Sequence, residues 1–288
     1  MNLRNARLKD LIQQPEILIA PGAPDALIAK IIEKKGFDVV YVSGAGVSYT
    51  TLGMPDMGFI TMTEMVQKAA YIANAVNIPI ICDADTGYGN PINVIRTVRE
   101  FERAGASAIQ LEDQLTPKRC GHLAGKEIIT KEEMVSKIKA AVDVRVDQNF
   151  QIIARTDAIA VSGLEEAIER GIAYQEAGAD VLFIEAPKSI EEMKKINSIL
   201  NVPLMANMVE GGKTPLLTAE ELQEIGYSVV IYPNAAVRVI AKAVSELMEE
   251  IKNKGTTKHY ISNMLLFEKL NELLDRKIVQ GWEQKYKS

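Results

Sequence analysis

The sequence is poor in the residues that most readily announce chemistry. Its 288 residues include two cysteines, two histidines and one tryptophan, and only 6% are aromatic. Two cysteines cannot build a disulfide scaffold, so they are read as free thiols in a reducing, cytoplasmic setting. No apolar run approaches the length needed to cross a bilayer, and no membrane partner is expected. The opening "MNLRNARLKDLIQQPEILIAPGAPD" lacks the apolar core of a signal peptide. Positive charge is not in excess: 33 Lys and Arg against 38 Asp and Glu leave a net charge of -5, which argues against nucleic acid as a partner. What remains is an ordinary globular composition, 47% hydrophobic and 25% charged, with length enough for one large core.

Short apolar, β-branched runs alternate with longer amphipathic ones. The short runs are "ILIAPG", "DVVYVSG", "PIICDAD", "AIQLED", "QIIARTD", "VLFIEA", "PLMANM" and "VVIYPN". Each reads as a parallel strand buried on both faces. Between them, "NPINVIRTVREFERAGA" and "GLEEAIERGIAYQEAGAD" are helical and stop at Ala-Gly-Ala. "TAEELQEIG" starts with Thr218 as N-cap and Glu221 three residues on. Eight such units predict an α/β fold of the (β/α)8 TIM-barrel type over residues 1–255. A doubly wound open sheet is the alternative, weakened because no Gly-x-Gly-x-x-Gly follows the first strand. Residues 256–288, "TTKHYISNMLLFEKLNELLDRKIVQGWEQKYKS", read as a helical extension. Its apolar residues predict packing on a neighbouring subunit, or else closure of the bottom of its own barrel.

Barrel enzymes keep their chemistry at the C-terminal ends of the strands. There the sequence places Tyr41, Ser43 and Gly44, then Asp83 and Asp85, then Gln110, Glu112 and Asp113. Arg155, Asp157, Glu185 and Asn207 complete a polar ring. Asp83 and Asp85 are two apart and face one side of a strand. Such a pair suits Mg2+, which takes few protein carboxylates and keeps waters and substrate oxygens. A lone strand-end Asp is more often a cap or turn residue, and that reading is preferred for Asp157. Arg155 leaves an apolar strand, so its burial needs an anion. Either an ion pair with Glu185 or Glu112 or a bidentate clamp on a substrate carboxylate or phosphate supplies it.

After the fourth strand comes "LEDQLTPKRCGHLAGKEII", with Cys120 and His122 side by side around Gly121. A free thiol with an ordinary pKa of about 8.5 is a general acid; ionised by Lys118, Arg119 or His122, it is a nucleophile. Glycines at 121 and 125 allow the loop to fold over a ligand. An exposed loop with a chance cysteine is the plainer alternative.

"KRCGH", together with "YVSG", "DADTGYG", "IQLEDQ", "ARTDA", "IEA" and "ANM", resembles the phosphoenolpyruvate mutase/isocitrate lyase superfamily. The resemblance runs from about residue 5 to residue 250 and is nearest the 2-methylisocitrate lyase and 2,3-dimethylmalate lyase group. It implies a barrel whose last helix is exchanged with a neighbour in a homotetramer, a dimer of dimers. It implies Mg2+, with Mn2+ as a substitute, held by Asp85 and, through waters, by Asp83 and Glu112. It also implies a small-molecule carboxylate substrate bound by Ser43, Gly44, Ala45, Gly121 and Arg155. Cys120 favours carbon–carbon cleavage to pyruvate, with the thiol as general acid and His122 tuning it. The base is left between Tyr41 and a water held by Glu112 or Glu185. Arg238 and Asn207 are candidates for a second carboxylate, and Lys213 is a further cation. The resemblance places Phe267 near the position of an arginine in tricarboxylate-cleaving relatives, and Leu265, Leu266 and Phe267 carry no cation, which tilts the reading toward 2,3-dimethylmalate over the tricarboxylate 2-methylisocitrate. A phosphonate-processing or oxaloacetate-type enzyme on the same scaffold and a non-catalytic barrel are the alternatives.

Overall fold

The computed structural model describes residues 2–119, 121 and 125–287. The apolar runs form β1 (Leu18–Pro21), β2 (Val40–Val42), β3 (Ile80–Asp83), β4 (Ala108–Glu112), β5 (Gln151–Thr156), β6 (Val181–Ile184), β7 (Met205–Asn207) and β8 (Val229–Tyr232). The helices are α1 (Leu3–Ile12), α2 (Ala26–Lys34), α3 (Gly44–Leu52), α4 (Met62–Ala75), α5 (Pro91–Ala104) and α6 (Lys131–Val144). They continue with α7 (Leu164–Glu176), α8 (Ile190–Ile199), α9 (Ala219–Ile225), α10 (Ala235–Lys254), α11 (Phe267–Leu273) and α12 (Arg276–Lys285). Local chemistry sets several of their ends. Thr61 with Glu64 and Thr218 with Glu221 make reciprocal capping boxes. Gly105 closes α5 in the left-handed conformation.

Every strand pair is parallel. The hydrogen-bonded ladder falls into two arcs, β1-β8-β7 and β2-β3-β4-β5-β6. Single bridges, Gly22 to Tyr41 and Leu182 to Leu204, join the arcs into a closed barrel. An open doubly wound sheet would leave two free edges instead. At the first seam a Cβ on Gly22 would lie 2.1 Å from the Pro233 carbonyl oxygen, so only glycine lets the chain pass there.

Strand alternation divides the core in two. Outward residues such as Val40, Ile80, Cys82, Ile109, Ile152 and Leu182 pack against the helices. Inward residues such as Ala20, Tyr41, Ile81, Ile153, Phe183 and Ile231 fill the barrel, joined by Leu8 and Ile12 of α1. The barrel floor is therefore α1, not the C-terminal tail. Of α10 only Val237 is buried, while Val239, Val244 and Met248 are exposed. The tail touches α2 through Asp275, whose carboxylate accepts from Lys30 at 2.5 Å and Lys34 at 3.1 Å. Phe267 and Trp282 stay exposed, at 75% and 59%. Among the described residues, no helix is long and apolar enough to cross a membrane.

Candidate active site

The inward register that buries Ile81, Ile153, Phe183 and Met205 in the barrel puts Asp83, Arg155, Glu185 and Asn207 one step further toward the mouth. Glu112 follows the same parity on β4. These residues line one cavity with Tyr41, Ser43, Ala45 and Gly121. Asp113, one residue on from Glu112, has the opposite parity and leaves the ring expected from sequence. It faces α7, accepting from Thr156, Arg170 and Tyr174 at 2.6, 3.0 and 2.8 Å.

Asp83 organises the entrance of β2 and β3. Its carboxylate accepts from the backbone N–H of Gly44 at 3.2 Å and of Asp85 at 3.1 Å, and from Gln110 at 3.3 Å. Asp85 lies beyond the strand in a left-handed turn, φ 47°, so strand alternation does not apply to it. The two carboxylates nevertheless converge: a Cβ on Gly44 would meet Asp83 Oδ2 at 3.0 Å and Asp85 Oδ1 at 3.1 Å. Lys118 Nζ lies 2.8 Å from Asp85 Oδ1 and 2.6 Å from Asp56 Oδ1. Burial raises the Asp85 carboxyl to about 6 against the opposing pull of Lys118. Burial works against the Lys118 charge too, but Asp85, Glu112 and Asp56 outweigh it and hold the ammonium. Asp56, in "GMPDMGF", was not anticipated, because a lone acid in a loop carries no periodic signal.

Glu112 is 1% exposed, and its Oε1 has no hydrogen-bond partner among the described residues. Burial pushes its carboxyl well above the usual carboxylate range, with Arg155 and Lys118 opposing. No three His, Cys, Asp or Glu side chains among the described residues converge into a preformed metal cage. The donor set still fits Mg2+, a hard cation that binds through one or two carboxylates and keeps most of its waters. Asp83 and Asp85 on Gly44, with the unpartnered Glu112 oxygen nearby, offer oxygen ligands only.

Arg155 crosses the barrel mouth with its guanidinium 5.0 Å from the Phe183 ring centroid. It lies 3.4 Å from Glu112 and 4.0 Å from Glu185, so both ion pairs weighed from the sequence occur. Its main partner is Asp157, at 2.8 Å from Nε and 3.1 Å from Nη2. Asp157 is the cap or turn residue read from the sequence in its backbone, whose carbonyl accepts from Ala160 N–H at 3.2 Å, but its side chain serves Arg155 instead. It precedes a short 3-10 turn but makes no side-chain cap bond, and it is wholly buried. Burial pushes its carboxyl up, but Arg155 and Lys126 together prevail and hold it at about 2.

Ser43 caps α3, its Oγ accepting from Gly46 N–H at 3.3 Å. Because Gly44 N–H is given to Asp83, Ser43 and Ala45 are the members of this turn that line the cavity. Tyr41 donates to Gln110 at 2.9 Å. Burial, reinforced by Asp83, raises its phenol well above the ordinary value. Asn207 donates to Glu185 at 3.3 Å. Arg238 stands apart: it is ion-paired to Glu210 at 3.1 Å and is not among the residues lining the cavity. Lys213 and Phe267 do not line it either. Asn234, which does, was missed although it follows β8 in "YPN". Cys120 and His122 lie outside the described residues.

Residues 8–252 match the family described as Phosphoenolpyruvate phosphomutase. A 2,3-dimethylmalate lyase from Eubacterium barkeri is 51% identical over 98% of this chain and 97% of its own. A 2-methylisocitrate lyase from Aeropyrum pernix is 48% identical over 89% of this chain and 82% of its own. A phosphonopyruvate hydrolase solved in complex with oxalate and Mg++ superposes with a TM-score of 0.89 at 33% identity, covering 98% of this chain and 99% of the other.

Proposed function

The chain belongs to the phosphoenolpyruvate phosphomutase family, and from that premise we propose that it is a Mg2+-dependent carbon–carbon lyase. It cleaves a 2-hydroxy dicarboxylate to pyruvate and a second carboxylate, with 2,3-dimethylmalate, giving pyruvate and propionate, as the preferred substrate. The observation that carries this choice is the β7–β8 side of the cavity. Val209, Ile231 and Pro233 line it beside the uncharged Asn207 and Asn234, and among the described residues no cation from this side joins them to meet a third carboxylate. A methyl group suits that wall; an unpaired carboxylate does not. The 2,3-dimethylmalate lyase relative agrees in sequence across nearly both chains. One feature favours 2-methylisocitrate, cleaved to pyruvate and succinate, as a second reading: Arg119 also lines the cavity.

Asp85, with Asp83 and Glu112 through waters, would hold Mg2+, and Mn2+ in its place. Bound there, the cation supplies positive charge beside the oxygen on which negative charge develops. Arg155 clamps the carboxylate of the pyruvate half, assisted by Ser43 and the backbone of Ala45 and Gly121. Tyr41 keeps its proton and orients the substrate as a hydrogen-bonding group. Removal of the 2-hydroxyl proton falls to Glu112 or Glu185, directly or through a water. As that proton leaves, the C2–C3 bond breaks, C2 becomes the 2-oxo carbon of pyruvate, and the electron pair passes to C3 and its carboxylate. Cys120 delivers a proton to C3, with His122 adjusting the thiol.

The exposed apolar face of α10 and the tail supports a further element of the proposal. This segment, residues 256–288 with α10, packs on neighbouring copies in a helix-exchanged homotetramer of the cytoplasm. Sedimentation should then give a particle of four chains, and a monomer would overturn it.

The deciding assay measures pyruvate release with Mg2+, offering 2,3-dimethylmalate and 2-methylisocitrate side by side. Faster release from 2,3-dimethylmalate supports the apolar wall; preference for 2-methylisocitrate assigns Arg119 to a third carboxylate. Silence on both, with Mg2+ bound, overturns the lyase reading in favour of phosphonate or oxaloacetate-type chemistry.

A further inference from the structure

Behind the cavity wall Asp157 gathers two cations. Its Oδ1 accepts from Lys126 Nζ at 2.6 Å and Arg155 Nη2 at 3.1 Å, and its Oδ2 accepts from Arg155 Nε at 2.8 Å. The side chains of Lys126, Asp157 and Arg155 are 2%, 0% and 9% exposed. Water therefore contributes little screening, and each charge depends on the others. Asp157 is itself anchored, its N–H donating to Asp113 at 2.9 Å. Lys126 also donates to the Gly121 carbonyl at 2.5 Å. Gly121 in turn presses on the clamp: a Cβ there would come within 2.5 Å of Arg155 Nη2 and of Glu185 Oε1. The contacts run in a closed circuit, from Gly121 to Lys126, Asp157, Arg155 and back to Gly121. Arg155 and Gly121 line the cavity, whereas Lys126 and Asp157 do not.

We propose that Lys126 and Asp157 are a positioning pair that sets Arg155 and the Gly121 backbone in one register, so that a substrate carboxylate meets both already aligned. This rests on the reading of Arg155 as the carboxylate clamp. Asp157 engages Nε and Nη2 of the guanidinium, which fixes the side chain and leaves Nη1 outside that pair. Lys126 shares the carboxylate and prevents Asp157 from drawing Arg155 wholly to itself. A pair that never touches substrate acts through geometry, where a displacement of about 1 Å is enough to cost two orders of magnitude in rate.

The test uses the full-length protein with Mg2+ and oxalate, a planar dicarboxylate that stands in for the 2-oxo acid half, titrated by calorimetry. Lys126→Met and Asp157→Asn should each weaken oxalate binding at least tenfold and lower kcat for pyruvate release. The double variant should be no worse than the poorer single one, because both changes break one circuit. Lys126→Arg should recover part of the loss. Lys126→Gln, which keeps a donor for the Gly121 carbonyl, provides a milder variant should Lys126→Met fail to fold. Arg155→Ala separates the two readings. If it leaves oxalate affinity unchanged, the clamp reading is wrong and the inference falls with it. If it weakens binding while Lys126→Met, Lys126→Gln and Asp157→Asn stay within twofold of wild type, the clamp stands and only the positioning pair is overturned. Losses that multiply in the double variant would also overturn it, since the two residues would then act independently.

Discussion

Gly121 lies so close to Arg155 that a methyl on its α-carbon would come within 2.5 Å of Nη2. A Cβ cannot occupy that space without moving the guanidinium. Gly121→Ala should therefore lower kcat/KM for pyruvate release by about a hundredfold, equivalent to about 2.7 kcal/mol of transition-state stabilisation. The residue lies in a loop, so thermal unfolding should shift by no more than a few degrees. Activity within threefold of wild type would show that the backbone approach is dispensable.

The same argument at Gly44 concerns the proposed Mg2+ site. An alanine Cβ would stand 3.0 Å from Asp83 Oδ2 and 3.1 Å from Asp85 Oδ1, tight enough to push the carboxylates apart. Chelation should abolish pyruvate release and added Mg2+ should restore it. In Gly44→Ala the Mg2+ needed for half-maximal activity should rise about tenfold, roughly 1.4 kcal/mol of binding. An unchanged Mg2+ requirement would place the ion elsewhere.

Thiol chemistry should distinguish the two cysteines. Cys82 faces the helix layer and is fully buried. Burial, with Asp83 adding to it, pushes its thiol far above the ordinary value, so it has no thiolate to offer at neutral pH. An alkylating reagent should modify native protein at Cys120 alone, with loss of pyruvate release, and Cys120→Ser should show neither labelling nor activity. Peptide mapping that finds Cys82 modified in folded protein would contradict the packing.

Asp157 gives a dependence on pH whose sign follows from its ionisation. Its folded carboxyl is held at about 2, below the ordinary value of about 3.9. The stabilisation is complete above the unfolded pKa and is lost as pH falls toward 2. It is on the order of 2 to 3 kcal/mol at neutral pH and falls away between about pH 4 and pH 2. Denaturant unfolding of wild type and Asp157→Asn should show a gap near pH 7 that narrows below pH 4. A gap that stays constant down to pH 3 would mean that this carboxylate is not the ionised partner of Arg155 and Lys126.

The legibility of this molecule in its sequence follows strand alternation. Eight β-branched runs with capped helices between them place the barrel. The parity within each run then delivers Asp83, Glu112, Arg155, Glu185 and Asn207 to one mouth. Alternation ends where the strand ends. Asp113 turns to α7, and Asp85 reaches Asp83 through a left-handed turn rather than by strand parity. Asp56 and Lys126 return to the site on loops, and their partners lie 62 and 31 residues away in the chain. No local pattern encodes such distances. Arg238 shows the converse: the sequence offers it for a carboxylate, but its capture by Glu210 was not legible.

The ladder of this barrel narrows to single bridges at two seams, and that division separates the two halves of the proposed site. On the proposed reading, every ionised group that grips the retained half of the substrate stands on or just beyond the arc from β2 to β6. The uncharged wall of Ile231 and Pro233 that would meet the methyl of the departing half stands on or just beyond the arc from β7 to β1. The arcs meet at the Gly22–Tyr41 and Leu182–Leu204 bridges, and neither Ile231 nor Pro233 belongs to those bridges. On that reading the released fragment can be changed at Ile231 and Pro233 while the residues that hold the retained half stay as they are.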